Sequence, residues 1–62
     1  MNGYGGYGSI LDALSNRGAL SFRDLVVAHA NGEKPGGKNY RLVRQFIAED
    51  RLVEIGPDLF LA

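Results

Sequence analysis

Lys38-Asn39-Tyr40-Arg41-Leu42-Val43-Arg44-Gln45-Phe46-Ile47-Ala48-Glu49 is the stretch on which the reading of this chain turns. At ~100° per residue, with Lys38 at zero, a helix over 38–49 gathers Asn39, Phe46, Val43, Ile47 and Tyr40 into one sector. Arg44, Ala48, Arg41, Gln45 and Lys38 fill the opposite one. The first sector predicts a buried stripe, the second a basic and polar outer face. Leu42 falls on the border and points toward the preceding helix.

Working outward from that helix, Asn31-Gly32 and Pro35-Gly36-Gly37 are strong breakers that separate it from an earlier helical stripe, Phe22, Leu25, Val26 and His29. Ser21 is placed to cap this second helix, with Asp24 three residues on, and the helix is predicted to stop near Ala30. Gly18-Ala19-Leu20-Ser21 reads as a short extended linker. Before it, Ser9 with Asp12 looks like an N-cap and its acidic partner ahead of Ile10, Leu11, Ala13 and Leu14, so a first helix is expected from Ser9 or Ile10 to about Asn16. Gly18 is expected to end it in the left-handed conformation, with Arg17 at the negative end of its dipole.

On the other side of 38–49, Arg51-Leu52-Val53-Glu54-Ile55 alternates with period two, Gly56-Pro57-Asp58 is a turn, and Leu59-Phe60-Leu61 returns as a second strand. The hairpin's apolar positions are expected to close over the helices. Residues 1–8 hold four of the nine glycines and no long aliphatic side chain beyond Met1. Ordering them costs entropy with little burial in return, so they read as a flexible Gly/Tyr-rich tail in which Tyr4 and Tyr7 are free to stack on bases or cover an apolar patch. The expected fold class is α+β and mainly helical: a tail over 1–8, then one domain over 9–62 with three helices and a C-terminal two-stranded hairpin.

Composition narrows the function classes. With 62 residues and 45% hydrophobic content the chain is a single small globular domain, one that hides only roughly 60% of the surface its unfolded form exposes. It has no cysteine, so neither a disulfide framework nor a thiolate metal site supports the core. No apolar run approaches the ~18 residues of a membrane span, and Met1-Asn2-Gly3-Tyr4 lacks the regions of a signal peptide, which makes a cytoplasmic protein without a membrane partner the expectation. Seven basic residues balance seven acidic ones, so any nucleic-acid affinity has to come from where the charges lie rather than from their sum. Lys34, Lys38, Arg41 and Arg44 fall within eleven residues that contain no carboxylate, whereas Glu49 to Asp58 is acidic.

Two tempting motifs dissolve on inspection. Gly32 to Gly37 has neither a preceding strand nor the Gly-Lys-Ser/Thr ending of a phosphate-cradling nucleotide loop. His29 is the only histidine, with Asp24 five residues away, and a lone histidine near a helix end is ordinarily a packing or capping residue rather than a metal ligand. A core this small cannot easily enclose a substrate cleft. No catalytic residue, cofactor, metal or small-molecule substrate is expected, and the protein is read as not an enzyme.

The order helix, short strand, helix, turn, basic amphipathic helix, hairpin resembles the winged helix-turn-helix superfamily over Ser9 to Ala62. The local cues are Gly-Ala-Leu-Ser-Phe-Arg-Asp-Leu (Gly18 to Leu25) and Ile-Ala-Glu-Asp-Arg-Leu-Val-Glu-Ile-Gly-Pro-Asp-Leu-Phe-Leu (Ile47 to Leu61), the latter similar to a recognition helix running into a wing. The resemblance implies that the third helix enters the major groove of double-stranded DNA, with Lys38, Arg41, Arg44 and Gln45 on bases or phosphates and Asn39 at the amino end. Arginine can present two donors to guanine, glutamine can pair with adenine, and lysine neutralises phosphate. Lys34 and the backbone N–H groups of the loop from Asn31 to Gly37 offer a phosphate site. The wing departs from the DNA-binding pattern: Glu54 and Gly56-Pro57-Asp58 form a short acidic tip, so binding is expected to rest on the third helix and its loop. The implied function is a small DNA-binding regulator of transcription or accessory factor, nucleoid-associated, acting as a homodimer where two half-sites are read. The alternative is a winged-helix protein-interaction module that offers its basic helix face, or the hairpin edge at Leu59-Phe60-Leu61, to a protein partner.

Overall fold

The structure is a computed structural model, and it describes residues 6–62. Three helices, α1 (Tyr7–Arg17), α2 (Phe22–Ala30) and α3 (Gly37–Ala48), are followed by β1 (Val53–Gly56) and β2 (Leu59–Leu61), which pair antiparallel. The expected order of three helices and a hairpin is what the chain adopts.

Local chemistry explains most of the boundaries. Ser21 accepts a hydrogen bond from Asp24 N–H at 3.1 Å, capping α2 as predicted, and Asn31 ends that helix in the left-handed conformation. Gly18 ends α1 with its N–H donated to Leu14 O at 2.8 Å; its φ of 91° is positive but its ψ of −98° lies outside the left-handed helical region. That backbone is strained for any residue with a Cβ. Only the second half of the expected extended linker is extended: Gly18 and Ala19 form a bend, while Leu20 makes an isolated antiparallel bridge to Phe60 with backbone hydrogen bonds of 3.1 and 2.8 Å.

The start of α1 differs from expectation. Ser9 is not its cap: the helix begins two residues earlier, behind Gly6, and has no acidic residue in its first turn. Tyr7 and Gly8, expected in the tail, are its first residues, and the reason is that Tyr7 finds enough to hold. Its ring meets Phe46 edge-on at 5.1 Å, its hydroxyl donates to Arg51 O at 2.8 Å, and the Arg51 guanidinium lies 4.1 Å over its face. Gly6 N–H adds a bond to His29 O at 2.9 Å. The reading of Tyr4 lies outside the described residues.

Ile10 and Leu14 from α1, Leu20 from the linker, Leu25 and Val26 from α2, Val43 from α3, then Leu52 and Phe60 make one continuous core. Burying each such side chain contributes roughly 1.5–3 kcal/mol, and a domain this small has only a few kcal/mol in hand. Phe46 and Ile47 pack against that core as the helical arithmetic predicts, but Tyr40 does not. It is 39% exposed, because it lies at the edge of the apolar sector and its ring leans on Phe22 at 6.2 Å instead.

The hairpin corrects a second expectation. Only Leu52 and Phe60 close over the helices, whereas Val53, Ile55, Leu59 and Leu61 are all exposed. Strand geometry is the cause: a two-stranded ribbon turns one face to the helices, Phe60 occupies it opposite Glu54, and the next pair, Val53 with Leu61, must face away. The register slips between Glu54 and Gly56, a bulge at Ile55, and the first strand starts at Val53 rather than Arg51. Among the described residues, no helix is long and apolar enough to cross a membrane.

Candidate nucleic-acid interface

The outer side of α3 carries Lys38, Arg41, Arg44 and Gln45, all exposed. At ~100° per residue the three cations span about 120° of arc, so they share one face. None of the three has an ion pair among the described residues, where Arg17 and Asp24 form the one salt bridge, at 3.2 Å. Arg44 is held in place rather than loose: its guanidinium stands 5.5 Å over the Phe22 ring, a contact that costs it no donors. Gln45 is less available, because its Nε2 donates to Glu49 at 3.1 Å, one turn along.

Lys34 is exposed in the connection that leads into α3, and the peptide N–H groups of Gly37 and Lys38, in the first turn, have no helical acceptor of their own. Cations and free amide donors thus converge on the amino end of the helix, where the macrodipole also favours an anion.

Asn39 is placed differently from its neighbours. Its side chain is half-buried and its amide is used at both ends: Oδ1 accepts from Gly36 N–H at 2.9 Å, and Nδ2 lies 2.8 Å from His29 Nδ1. It is a positioning residue for α3, with both ends of its amide engaged inside the domain. His29 is buried, its ring 5.9 Å from Phe46, and its pKa is pushed below the usual 6.5, first by burial and then by the nearby Lys38. Together with Gly6, Ala30, Glu33, Lys38 and Leu42, these two side chains border an open cleft of about 440 Å³ between the amino end of α3 and the carboxyl end of α2. Leu42 therefore does turn toward α2, as its border position predicts.

The acidic hairpin tip has an internal role that the sequence conceals. Asp58 Oδ1 accepts from Phe22 N–H at 3.0 Å, so its charge is set against the amino end of α2, and Glu54 accepts from Asp58 N–H at 3.2 Å. Asp58 also adopts a φ of 52°, tolerable for an aspartate in a tight turn.

Two exposed residues escape the sequence reading, Tyr40 beside the Phe22 ring and Arg23 next to Phe22 in the chain. Tyr40 sits beside Phe22, the same ring that carries Arg44. Its angle on the helix, ~40° from Arg44, was the available signal. Arg23, next after Phe22, is exposed and has no hydrogen-bond or ion-pair partner among the described residues. It was masked by the denser run of cations from Lys34 to Arg44. No three His, Cys, Asp or Glu side chains among the described residues gather where they could hold a metal ion. Compared with protein-family models, curated proteins and solved structures, the chain matches none of them.

Proposed function

We propose that this chain is a winged-helix-type double-stranded DNA-binding domain, serving as a transcriptional regulator or accessory factor, with α3 laid in the major groove. The observation that carries the reading is the set Lys38, Arg41 and Arg44, exposed, co-facial and without ion pairs among the described residues on the most amphipathic helix. Arg41 and Arg44 supply base or phosphate contacts, Lys38 and Lys34 neutralise phosphates, and Gln45 reads a base edge once it leaves Glu49. Asn39 acts indirectly by fixing the helix start. The working compartment is wherever the DNA is, which for a bacterial-type regulator means the cytoplasm.

A single module this small makes few contacts, so binding as a monomer is weak and salt-sensitive, of order 10⁻⁴–10⁻⁶ M without a specific site. The experiment is a salt titration of duplex affinity for the parent and for Arg41→Ala with Arg44→Ala. Loss of two phosphate contacts lowers the slope of log K against log salt by roughly 2. An unchanged slope and affinity, or a parent that binds no duplex, rejects the proposal.

A second reading is favoured by the aliphatic outer face of the hairpin, Val53, Ile55, Leu59 and Leu61. In that reading the domain is a protein-interaction module. The edge it offers is β1 rather than β2, because both backbone groups of Phe60 are already committed to Leu20. Sedimentation that stays monomeric, together with micromolar duplex binding, removes this reading.

A further inference from the structure

His29 is the one buried polar side chain among the described residues, and the DNA-binding proposal makes no use of it. The polarity of its contact with Asn39 follows from elementary donor and acceptor counting. Gly36 offers a peptide N–H, which can only donate, so the Asn39 atom 2.9 Å from it has to be the oxygen. The amide NH₂ is thereby turned to the ring at 2.8 Å, Nδ1 has to accept, and the proton of the neutral imidazole resides on Nε2.

That arrangement tolerates only one protonation state. A proton added to Nδ1 would face the two hydrogens of the Asn39 amide, donor against donor at hydrogen-bond distance. Turning the amide over gives the protonated ring an oxygen to donate to, but presents the NH₂ group to Gly36 N–H, which then has no acceptor. The ring and the helix cap therefore compete for one oxygen atom. We propose that His29 and Asn39 form an acid-sensitive latch, in which protonation of the ring rotates the Asn39 amide, transfers its oxygen from Gly36 to His29, and releases the loop from the first turn of α3.

The surroundings set the direction. Lys38 from α3 and Glu33 from the loop border the same cleft. From α1 the contact is the Gly6 peptide N–H on His29 O, and the neighbouring Phe46 ring carries Arg51 at 4.9 Å. At the ring itself Glu33 and Lys38 are the charged neighbours lining the cleft, and Arg51 stands beyond the Phe46 ring. Burial and Lys38 hold the ring neutral at pH 7, so the latch is closed there and opens on acidification below 6.5. It operates whatever ligand α3 takes, and does not depend on DNA binding.

The test is an NMR titration of the free protein that follows the His29 ring nitrogens, the Asn39 side-chain NH₂ and the Gly36 amide. The expected result is an Nε2–H tautomer at neutral pH, a midpoint below 6.5, and shifts of the Gly36 and Asn39 NH₂ signals with that same midpoint. In Asn39→Asp a carboxylate can accept from Gly36 and from a protonated ring at once. Its His29 midpoint is expected to rise above 6.5, with the Gly36 amide no longer following. An Nδ1–H tautomer in the parent, or a Gly36 amide that stays still while His29 titrates, overturns the latch, and both are read in the parent chain even if the variant does not fold.

Discussion

Two outward faces of this molecule have opposite characters: the outer face of α3 is cationic, with Lys38, Arg41 and Arg44, and the outer face of the hairpin is aliphatic, with Val53, Ile55, Leu59 and Leu61. Both arise from the same need, since each element must turn one side to a shared core, and the residues left over define what it offers to solvent. On α3 the leftover residues are ones that seek an anion. On the hairpin they are four aliphatic side chains on two short strands, which gain little from water. Charge, more than apolar area, separates the two faces, and the proposed role in DNA binding rests on the cationic one.

The largest expected effect separates the two sides of the hairpin. Phe60→Ala removes the strand side chain that faces the helices and is expected to cost about 3–5 kcal/mol, enough to unfold much of the population. Leu59→Ser, on the outer side, is expected to change the unfolding free energy read from urea curves by under about 0.5 kcal/mol. Equal losses in the two variants would mean that the outer side is covered in solution.

Next comes the α3 face itself. Arg41→Glu with Arg44→Glu replaces two attractions for phosphate with two repulsions, and is expected to weaken duplex binding by about a hundredfold or more while leaving the fold's urea midpoint near the parent's. Leu59→Ser with Leu61→Ser is expected to leave duplex affinity unchanged, and a comparable loss there would erase the contrast between the faces.

Smaller effects probe the links that aim the two faces. Asp58→Ala removes the carboxylate from the amino end of α2 and is expected to cost about 1 kcal/mol in thermal or urea unfolding, with Asp58→Asn recovering part of it. Acidity acts through His29. The unfolded chain takes up a proton there below about 6.5 while the fold resists it. Stability is therefore complete above that pH and falls as acid is added, until the lowered folded pKa is passed. His29→Gln is expected to flatten that part of the pH dependence, which a set of urea curves between neutral and mildly acidic pH measures.

Much of the fold was legible because it depends on short-range patterns. Ser21 and Asp24, the breakers around Gly32 and Pro35, and the period of Phe22, Leu25 and Val26 each act within a turn or two of chain. What escaped depends on partners distant in sequence. Tyr7 becomes helical through Phe46 and Arg51, Asp58 finds Phe22, and Phe60 pairs with Leu20, and no local periodicity carries that information. The candidate site divides in the same way. The exposure of Lys38, Arg41 and Arg44 and the inward sector of Asn39 followed from helical spacing alone, whereas the engagement of the Asn39 amide by Gly36 and His29 and the outward lean of Tyr40 onto Phe22 depend on neighbours that spacing does not show.

The most direct measurement is chemical-shift mapping of the protein against a short DNA duplex at low salt. Amides from Lys34 to Gln45, with the Arg41 and Arg44 side chains, are expected to move together and return as salt is raised. Shifts centred instead on Val53 to Leu61, or no shifts at millimolar duplex, would contradict a nucleic-acid role for the cationic face.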